Sequence, residues 1–345
     1  MSDRTTTRHD RGEIGWQLAR LIDGFMTTQM IYVAAKLDIA DVLGRGPRTG
    51  EEVAAAVGAQ PQPLTRVLRG LAAEGVLDEL GDGRFALTPL GEALGTMRGA
   101  AIARGEIYFH SAEQLLEAVR DGGVPFELAN EAEFFDHLHS HPEQERVFQA
   151  AMSGRSANEA RAIVGAYDFG GFERIVDIGG GHGVLLTTIL DAAPDAHGVL
   201  FDQASVVAEA RVTLADSPLA PRLNLVPGDF FDHVPAGGDA YVLSRVLHDW
   251  DDDSASRILS TCRRSMDDGS RLLIADSVLP ELARDDPGAV RMDVLMFLLL
   301  RSRERTEDEF RRLLAANGFE LDRVIPTGSP GGLALVEAHP VGVRP

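Results

Sequence analysis

The chain has 345 residues, which is long enough for two domains with sizeable cores. Its hydrophobic content of 44% and charged content of 25% are those of an ordinary globular protein. The formal net charge of −20 argues against a nucleic-acid partner, since binding to phosphates requires a basic face.

The sequence also bears on where the protein is found. Met1–Arg11 is polar, so we expect a disordered tail there and no signal peptide. The longest apolar run, Val294–Leu300, is far too short to span a bilayer. Cys262 has neither a partner cysteine nor a metal-binding spacing, which is typical of a reducing compartment. We therefore expect a cytoplasmic protein with no membrane partner.

Apolar residues recur at helical spacing over Ile14–Leu43, and they cover more than one helix face. Helices that are apolar on several sides are buried on several sides. Near the start of a chain, this pattern favours a second copy of the chain as the cover. The segment therefore predicts a homodimer.

Residues 48–98 have the element order of a winged helix. Helices are predicted at Thr49–Val57 and Leu64–Glu74, followed by a hairpin of strands Val76–Leu80 and Arg84–Leu87. This order suggests a DNA-binding regulator as an alternative function. The segment holds five arginines and seven acidic residues, however, so its net charge is −2. That balance disfavours DNA binding, which stays the distant alternative.

The segment Ala112–Ala166 is predicted to be helical and to link two domains. It contains His137, His139 and His141, a spacing that could suggest a metal site. Residues at i, i+2 and i+4 do not share one helix face, and Pro142 breaks the helix just after them. We therefore interpret these histidines as exposed or capping residues.

The second half of the chain is organised around the stretch Arg174–Gly183. Its apolar start predicts a short buried strand, and a helix is predicted at Val184–Ala192. Between the two lie Gly179, Gly180, Gly181 and Gly183. Only glycine allows both positive φ and close approach of a ligand to the backbone. Such a loop, between a strand and a helix N-terminus, is where open α/β sheets bind nucleotide-like ligands.

The glycine pattern also restricts the ligand. A dinucleotide fingerprint, Gly-x-Gly-x-x-Gly, is met by Gly179 and Gly181 but has Val184 at the third glycine position. Asp202 closes the next strand, at a distance suited to binding ribose hydroxyls. A ribose-bearing ligand without a pyrophosphate fits better, and S-adenosylmethionine is the obvious candidate. A tight structural turn is the alternative interpretation of this stretch taken alone.

Strands and helices alternate from Glu173 onward, which predicts a parallel sheet with helices on both faces. The predicted strands are Arg174–Ile178, Gly198–Asp202, Leu223–Val226, Ala240–Leu247, Arg271–Ala275, Phe319–Ile325 and Leu333–Ala338. The later helices are Asp252–Met266, Ala289–Leu299 and Thr306–Ala316. The last two strands are joined without a helix and must be antiparallel neighbours. This is the architecture of Rossmann-like methyltransferases.

Four short motifs then give a specific resemblance. They are Gly228-Asp229-Phe230-Phe231, Leu247-His248-Asp249-Trp250-Asp251-Asp252, Ala275-Asp276-Ser277-Val278-Leu279-Pro280 and Arg303-Glu304-Arg305-Thr306. In this order they resemble the small-molecule O-methyltransferase family, which includes plant caffeic acid-type enzymes and bacterial enzymes that act on aromatic polyketides. The resemblance runs from about residue 14 to residue 340.

The resemblance implies a fold class and a domain division. The fold class is α/β, a Rossmann-like methyltransferase sheet with a terminal antiparallel strand pair, plus an N-terminal helical winged-helix dimerisation domain. The implied divisions are a disordered tail (1–11), a winged-helix-like dimerisation domain (12–100), a helical linker and substrate-pocket region (101–168) and an S-adenosylmethionine-binding catalytic domain (169–345).

The resemblance also assigns the cofactor cleft, with S-adenosylmethionine as the cofactor. It implies that Asp202 holds the ribose and that Asp229 and Phe230 frame the adenine. The remaining cofactor residues would be Gly179, Gly180, Gly181, Ser244 and Trp250, with Arg146 pairing with the methionine carboxylate.

The catalytic base implied by the resemblance is His248, with Asp276 and Glu304 as flanking acids. Plant members usually carry Glu at the position of Asp276. A phenol has a pKa of about 10 and is a poor nucleophile at neutral pH until a base takes its proton. A histidine, with an ordinary pKa of about 6.5, accepts that proton at cellular pH, and a carboxylate beside it fixes its tautomer. We therefore expect methylation of a phenolic hydroxyl of an aromatic secondary metabolite.

The acceptor is expected to be a small aromatic molecule in an apolar pocket. The predicted pocket residues are Phe148, Met152, Met296, Leu299 and Leu300. Arg301-Ser302 stands where the family commonly has a glycine pair, so the shape of the pocket is not readable from the sequence.

Two further alternatives concern the chemistry. Some bacterial relatives bind S-adenosylmethionine yet hydroxylate or decarboxylate their polyketide, but these tend to lose the histidine found here as His248. The acids Asp249, Asp251, Asp252 and Asp253 could instead bind a divalent metal, as in the catechol class of methyltransferases. Consecutive acids at a helix start point in diverging directions, so we expect no metal.

Overall fold

The computed structural model describes residues 8–329 and 331–342. The chain divides into two compact units. The first unit comprises Met1–Ala112 and Phe135–Gly154, and the second comprises Glu113–Phe134 and Arg155–Pro345.

The elements are numbered in chain order. The α-helices are α1 Arg8–Ile22, α2 Gly24–Lys36, α3 Ile39–Leu43, α4 Gly50–Val57, α5 Pro61–Ala73, α6 Pro89–Thr96, α7 Arg98–Ala103, α8 Phe109–Ala112, α9 Leu115–Asp121, α10 Pro125–Asn130, α11 Phe134–Ser140, α12 Pro142–Ala166, α13 Val184–Ala192, α14 Ala204–Leu214, α15 Asp252–Ser265, α16 Pro287–Leu299 and α17 Glu307–Ala316. The strands are β1 Arg48–Thr49, β2 Leu77–Glu79, β3 Arg84–Leu87, β4 Arg174–Ile178, β5 His197–Asp202, β6 Leu223–Pro227, β7 Ala240–Ser244, β8 Arg271–Leu279, β9 Arg305–Thr306, β10 Phe319–Pro326 and β11 Leu333–Pro340.

The first unit is helical and carries a small antiparallel sheet in the order β1-β3-β2. Helix α4 begins with a capping box in which Thr49 and Glu52 each bond the other's backbone N–H. The core between α4, α5 and the sheet is apolar, with Leu68, Leu71 and Phe85 fully buried. These features confirm the predicted winged-helix arrangement.

Helix α1 begins at Arg8, inside the segment predicted to be disordered. Residues 1–7 of that predicted tail lie outside the described residues.

The second unit is built on one sheet with the strand order β10-β11-β8-β7-β4-β5-β6. Strands β6, β5, β4, β7 and β8 pair in parallel, whereas β11 pairs antiparallel with both β8 and β10. The two-residue strand β9 pairs in parallel with the end of β8. The predicted parallel sheet with a terminal antiparallel pair is confirmed.

Two apolar layers cover the faces of this sheet. Because strand side chains alternate, Val176 and Ile178 face one layer while Ile175 faces the other. Tyr241 and Val242 on the neighbouring strand divide between the layers in the same way. The carboxyl ends of the parallel strands meet at one edge, where open α/β sheets place their ligands.

The structure corrects the boundary of one strand that matters for the site. The strand predicted at Ala240–Leu247 ends at Ser244, and a 3₁₀ turn spans Leu247–Asp249. Arg245 breaks the strand because its backbone is left-handed, with φ of 56°. His248 therefore lies on a turn outside the sheet, because β7 ends three residues before the end of the apolar pattern that predicted the strand.

Within the described ranges, none of the helices combines the length and the apolar character that crossing a membrane requires.

Candidate active site

The glycine loop lies directly after β4 at the carboxyl edge of the sheet. Gly179 and Gly181 have left-handed φ angles of 67° and 57°, which turn the chain sharply toward α13. The N–H of Gly179 donates to the carbonyl of Phe201 at 2.8 Å, which ties the loop to β5. A Cβ on Gly179 would lie 2.9 Å from Val246 Cγ2, so the loop packs against the chain that follows β7.

Gly180 fills a position with no room for a side chain. A Cβ there would lie 2.4 Å from Leu200 Cδ1 and 2.7 Å from Asp177 Oδ2. Asp177 is 1% exposed, and its Oδ2 has no hydrogen-bond partner. Burial, reinforced by the negative charge of Asp202, raises the pKa of Asp177 to about 7.

Asp202 ends β5 with its carboxylate fixed beside the loop. Its Oδ2 accepts from the N–H of Gly181 at 2.8 Å, and its Oδ1 accepts from the N–H of Gln203 at 2.7 Å. Each carboxylate oxygen can accept more than one hydrogen bond, so the group remains able to bind hydroxyls. The loop and this acid fit a ligand that carries a ribose.

Aromatic side chains gather beyond β6. Phe230 packs edge to face on Trp250, with 6.1 Å between the ring centres, and Phe231 packs on Trp250 in the same way, with 4.9 Å between the ring centres. The guanidinium of Arg257 lies 4.6 Å from the centre of the Phe231 ring. The Oδ1 of Asp229 accepts from the N–H of Phe231 at 2.8 Å, which fixes this turn. The predicted residues Asp229, Phe230 and Trp250 are thus brought together, and Ser244 ends the neighbouring strand β7.

His248 is 5% exposed and lies between two carboxyl groups. Its Nδ1 is 3.1 Å from Glu304 Oε1, and its Nε2 is 3.4 Å from Asp249 Oδ1. Burial by itself would lower the pKa of His248, but Asp249, Glu304 and Asp276 outweigh it and raise that pKa to about 9. This raised pKa favours the imidazolium form, so the neutral ring forms at a higher pH than the ordinary value of about 6.5 predicts.

The two predicted flanking acids are among the most buried charged groups. Asp276 on β8 is 0% exposed and Glu304 is 1% exposed. Neither oxygen of Asp276, nor Oε2 of Glu304, has a hydrogen-bond partner. Burial raises the pKa of Asp276 to about 7, and the positive charges of His248 and Arg245 oppose that rise. Asp276 and Glu304, which both raise the pKa of His248, thus carry three carboxylate oxygens without a hydrogen-bond partner.

Arg245 extends this cluster and was missed from the sequence. Its guanidinium bonds both carboxylate oxygens of Glu159, at 3.2 and 2.7 Å, and the hydroxyl of Ser277 at 2.8 Å. It also lies 3.8 Å from Glu304 Oε1, the oxygen that faces His248. Burial works to raise the pKa of Glu159, but Arg245 and Arg155 hold it below its ordinary value. A charged residue just after a buried strand was the available signal.

Arg305 is the second residue that the sequence did not reveal. Its side chain is 1% exposed and donates to the carbonyl of Leu247 and to that of Trp250, both at 2.8 Å. It also bonds Oδ1 of Asp252 at 3.0 Å. It belongs to the motif Arg303-Glu304-Arg305-Thr306, but neither the motif nor its position after Glu304 indicated a role for its side chain.

Three predicted residues belong to the first unit. Arg146 is exposed and lies 4.0 Å from Glu143. Phe148 packs edge to face on Phe135 at 6.3 Å, and Met152 is half-buried on the same helix. These positions do not test their predicted roles in binding.

The predicted pocket residues of α16 separate into two groups. Met296 and Leu299 are buried, at 6% and 3% exposure. Leu300 lines a cavity of about 280 Å³. The other residues of its lining are Gly123, Val124, Phe297, Arg301 and Ser302. The hydroxyl of Ser302 is buried without a partner.

The acidic run around α15 diverges in space. Asp251 caps α15 by accepting from the N–H of Ser254 at 2.8 Å, whereas Asp252 pairs with Arg305 and Asp249 faces His248. In the part of the chain that the structure describes, no group of three or more His, Cys, Asp or Glu side chains has metal-binding geometry.

The parallel sheet with its antiparallel end, and the glycine loop between β4 and α13, are those of a Rossmann-like methyltransferase. The chain belongs to the O-methyltransferase family and is an enzyme of that class. The family model described as the O-methyltransferase domain matches residues 112–320. A second model, the O-methyltransferase dimerisation domain, matches residues 19–96.

Relatives agree over nearly the whole chain. Phenazine O-methyltransferase PhzM of Lysobacter antibioticus is 45% identical over 330 residues, covering 94% of this chain and 96% of the relative. The 8-amino-8-demethylriboflavin N,N-dimethyltransferase of Streptomyces davaonensis is 38% identical over 309 residues, covering 87% and 88%. The structure of CalO1, a methyltransferase of calicheamicin biosynthesis in its SAH-bound form, is 34% identical with a TM-score of 0.86, covering 96% of this chain and 99% of that one.

Proposed function

We propose that this enzyme methylates a phenolic hydroxyl of an aromatic secondary metabolite, with S-adenosylmethionine as methyl donor and His248 as general base. The observation that carries the proposal is the buried pair that His248, on the turn after β7, forms with Glu304, which directly precedes β9. That turn lies beside the glycine loop, because β4 and β7 are paired strands and Gly179 packs on Val246.

The residues at the sheet edge fit the donor. Asp202 would bind its ribose hydroxyls, while Asp229 and Phe230 would frame its adenine. Gly181, where a Cβ would meet nothing within 4 Å, leaves the backbone open to close approach, while Gly179 and Gly180 pack closely against the protein beneath the loop. When bound, S-adenosylmethionine supplies a methyl group already activated by a sulfonium. The contribution of Arg146 remains a prediction.

Glu304 orients His248 for proton transfer. Because Glu304 Oε1 lies at Nδ1, the ring keeps a proton there and Nε2 is the nitrogen that can accept one from the substrate. The pKa of about 9 is closer to that of a phenol, at about 10, than an ordinary imidazole would be. Proton transfer is therefore nearly balanced in energy, although the base form predominates only at alkaline pH.

The cavity at the end of α16 supports an aromatic acceptor. Its lining is mainly apolar, through Val124, Phe297 and Leu300, with the Ser302 hydroxyl as an unpaired polar group. Pockets for small aromatic ligands combine apolar walls with few polar groups in this way. Phe148 and Met152 remain predicted contributors.

We also propose that the enzyme works as a homodimer. The first two helices expose large apolar side chains: Ile14, Trp16, Leu18, Leu21, Ile22, Phe25 and Met26. Exposed apolar side chains this close together are typical of an interface, and the dimerisation-domain model, which matches residues 19–96, includes Leu21, Ile22, Phe25 and Met26.

The proposal is tested with isotope-labelled methyl donor and a panel of fused aromatic phenols and arylamines. We expect label on oxygen, and a loss of kcat of about 10²- to 10⁴-fold in His248→Asn with SAH binding retained. His197→Asn is the control, since His197 is exposed at the far end of β5.

Three outcomes would overturn the assignment. Full turnover in His248→Asn would refute the assignment of His248 as the base. Label found on nitrogen alone would show that the acceptor is an amine and not a phenol. Cofactor binding without label in any acceptor would favour hydroxylation or decarboxylation instead. The winged-helix arrangement is shared with DNA-binding regulators, but the net charge of −2 over residues 48–98 disfavours DNA, and the relatives reported above are named for methyl transfer.

A further inference from the structure

We propose that Arg305 is a positioning residue for His248, because it fixes both ends of the turn that carries the imidazole. The inference rests on the proposed role of His248 as base. Arg305 touches neither the imidazole ring nor the glycine loop in the contacts described above, so it would act only through the geometry of the turn.

The hydrogen bonds of Arg305 bracket His248. Its Nη1 donates to the carbonyl of Leu247, one residue before His248, at 2.8 Å. Its Nη2 donates to the carbonyl of Trp250, two residues after His248, at 2.8 Å. The turn follows a residue with left-handed backbone and spans only Leu247–Asp249, so few local bonds hold it.

Arg305 is itself held on a rigid element. It pairs with Val278 of β8 as part of β9, and Thr306 next to it begins α17 with a capping box to Glu309. The preceding residue, Glu304, contacts the His248 ring. Of these two successive residues, Glu304 thus orients the His248 ring and Arg305 holds the backbone of the turn that carries it.

Burial of the Arg305 cation is unfavourable unless the hydrogen bonds of its guanidinium offset the desolvation. Moving a cation into the interior costs desolvation energy, and its one carboxylate partner, Asp252, is 56% exposed. The remaining partners are neutral carbonyls. The planar guanidinium can bond two separated acceptors and a carboxylate at once, which the single ammonium of lysine cannot do in the same geometry.

The test is a double-mutant cycle between Arg305 and His248. We expect Arg305→Lys to lower kcat roughly 10- to 100-fold through misplacement of the base, with SAH affinity and the acceptor KM little changed. In the His248→Asn background the same substitution should lower kcat no further. Added guanidinium should partly restore kcat to Arg305→Ala but not to the variant that also carries His248→Asn.

Arg311→Lys is the matched control. Arg311 is 50% exposed and bonds Glu307 at 2.6 Å, and it has no bond to the turn or to Asp252 in the described contacts. Its substitution should leave kcat unchanged.

The inference is overturned if Arg305→Lys keeps full kcat, or if it lowers kcat equally with and without His248. If Arg305 variants do not fold, Asp252→Asn takes their place, because it removes the carboxylate that bonds the same guanidinium. We expect it to lower kcat by less than Arg305→Lys, and only when His248 is present. If Asp252→Asn lowers kcat equally in the His248→Asn background, the inference is also overturned. Full turnover in His248→Asn alone would instead refute the base assignment in the proposed function.

Discussion

At the residue scale, the environment of His248, the proposed base, predicts how the activity depends on pH. Its ring faces Asp249 at Nε2 and Glu304 at Nδ1, and the charge of Asp276 also acts on it. Each carboxylate stabilises the imidazolium, so the pKa lies near 9 although burial opposes this. A base must be neutral to accept a proton, so activity should rise with pH up to that range.

We predict that Asp249→Asn moves the acidic limb of the rate profile to lower pH. Removing the anion beside Nε2 destabilises the imidazolium, lowers the pKa of His248 and lets the neutral ring form at lower pH, by roughly one pH unit. The measurement is kcat/KM against pH. Asp253→Asn is the control, because Asp253 is an exposed residue of the same acidic run. An unmoved limb in Asp249→Asn would show that another group titrates.

Arg245 shows how a single residue can resist prediction. A left-handed backbone favours glycine or asparagine, and the sequence gives no sign that arginine adopts it here. The strain is offset by the two-oxygen pairing with Glu159, which is 86 residues away along the chain. The partner that explains the residue is therefore visible only in the folded chain.

At the scale of elements, the glycine loop owes its shape to packing beneath it as well as to its own flexibility. The side chains of Leu200 on β5 and Asp177 on β4 pack against Gly180 and leave no space there for a methyl group. The loop is therefore pressed against the sheet, and its N–H groups tie it to the end of β5: those of Gly179 and Gly180 donate to the carbonyl of Phe201, and that of Gly181 donates to Asp202.

We predict that Gly180→Ala weakens binding of SAH by at least about tenfold and destabilises the fold by about 1–3 kcal/mol. The added Cβ would have to displace Leu200 or Asp177, and the loop would shift outward. Calorimetric titration and denaturant unfolding measure the two effects. Gly269→Ala, where a Cβ would meet nothing within 4 Å, should change neither. Unchanged SAH affinity in Gly180→Ala would place the cofactor elsewhere.

At the scale of the whole molecule, the exposed apolar side chains of α1 and α2 support the proposed homodimer. Trp16 and Leu21 are each 77% exposed, which is unusual for large side chains so close together. Scattered single apolar residues, such as Val212 at 80% exposure, need no such explanation.

We predict that the protein has twice its chain mass in light scattering after size exclusion, and that Leu21→Arg lowers this toward the single-chain mass. A charge buried without a partner in an apolar interface costs several kcal/mol. Val212→Arg is the matched control, because an equally exposed residue outside the apolar surface should leave the mass unchanged. A single-chain mass for the unaltered protein at micromolar concentration would exclude the homodimer.

The sequence by itself determined the sheet, the glycine loop and the family. These depend on local patterns: apolar strands separated by amphipathic helices, glycines between a strand and a helix, and short motifs in a fixed order. The pairing of β10 with β11 followed from the absence of a crossover helix between them. The residues Asp229, Phe230 and Trp250 were assigned to one cleft by the family resemblance of their motifs, and the rings of Phe230 and Trp250 do lie edge to face.

Only the tertiary structure decided how the candidate base is held and charged. The early end of β7, the pairing of Arg245 with Glu159 and the bonds from Arg305 to the His248 turn all join residues far apart in sequence. The raised pKa of His248 likewise depends on burial and on three carboxylates gathered from separate segments. Electrostatic interactions of this kind depend on distance and desolvation, and neither is encoded in any local pattern.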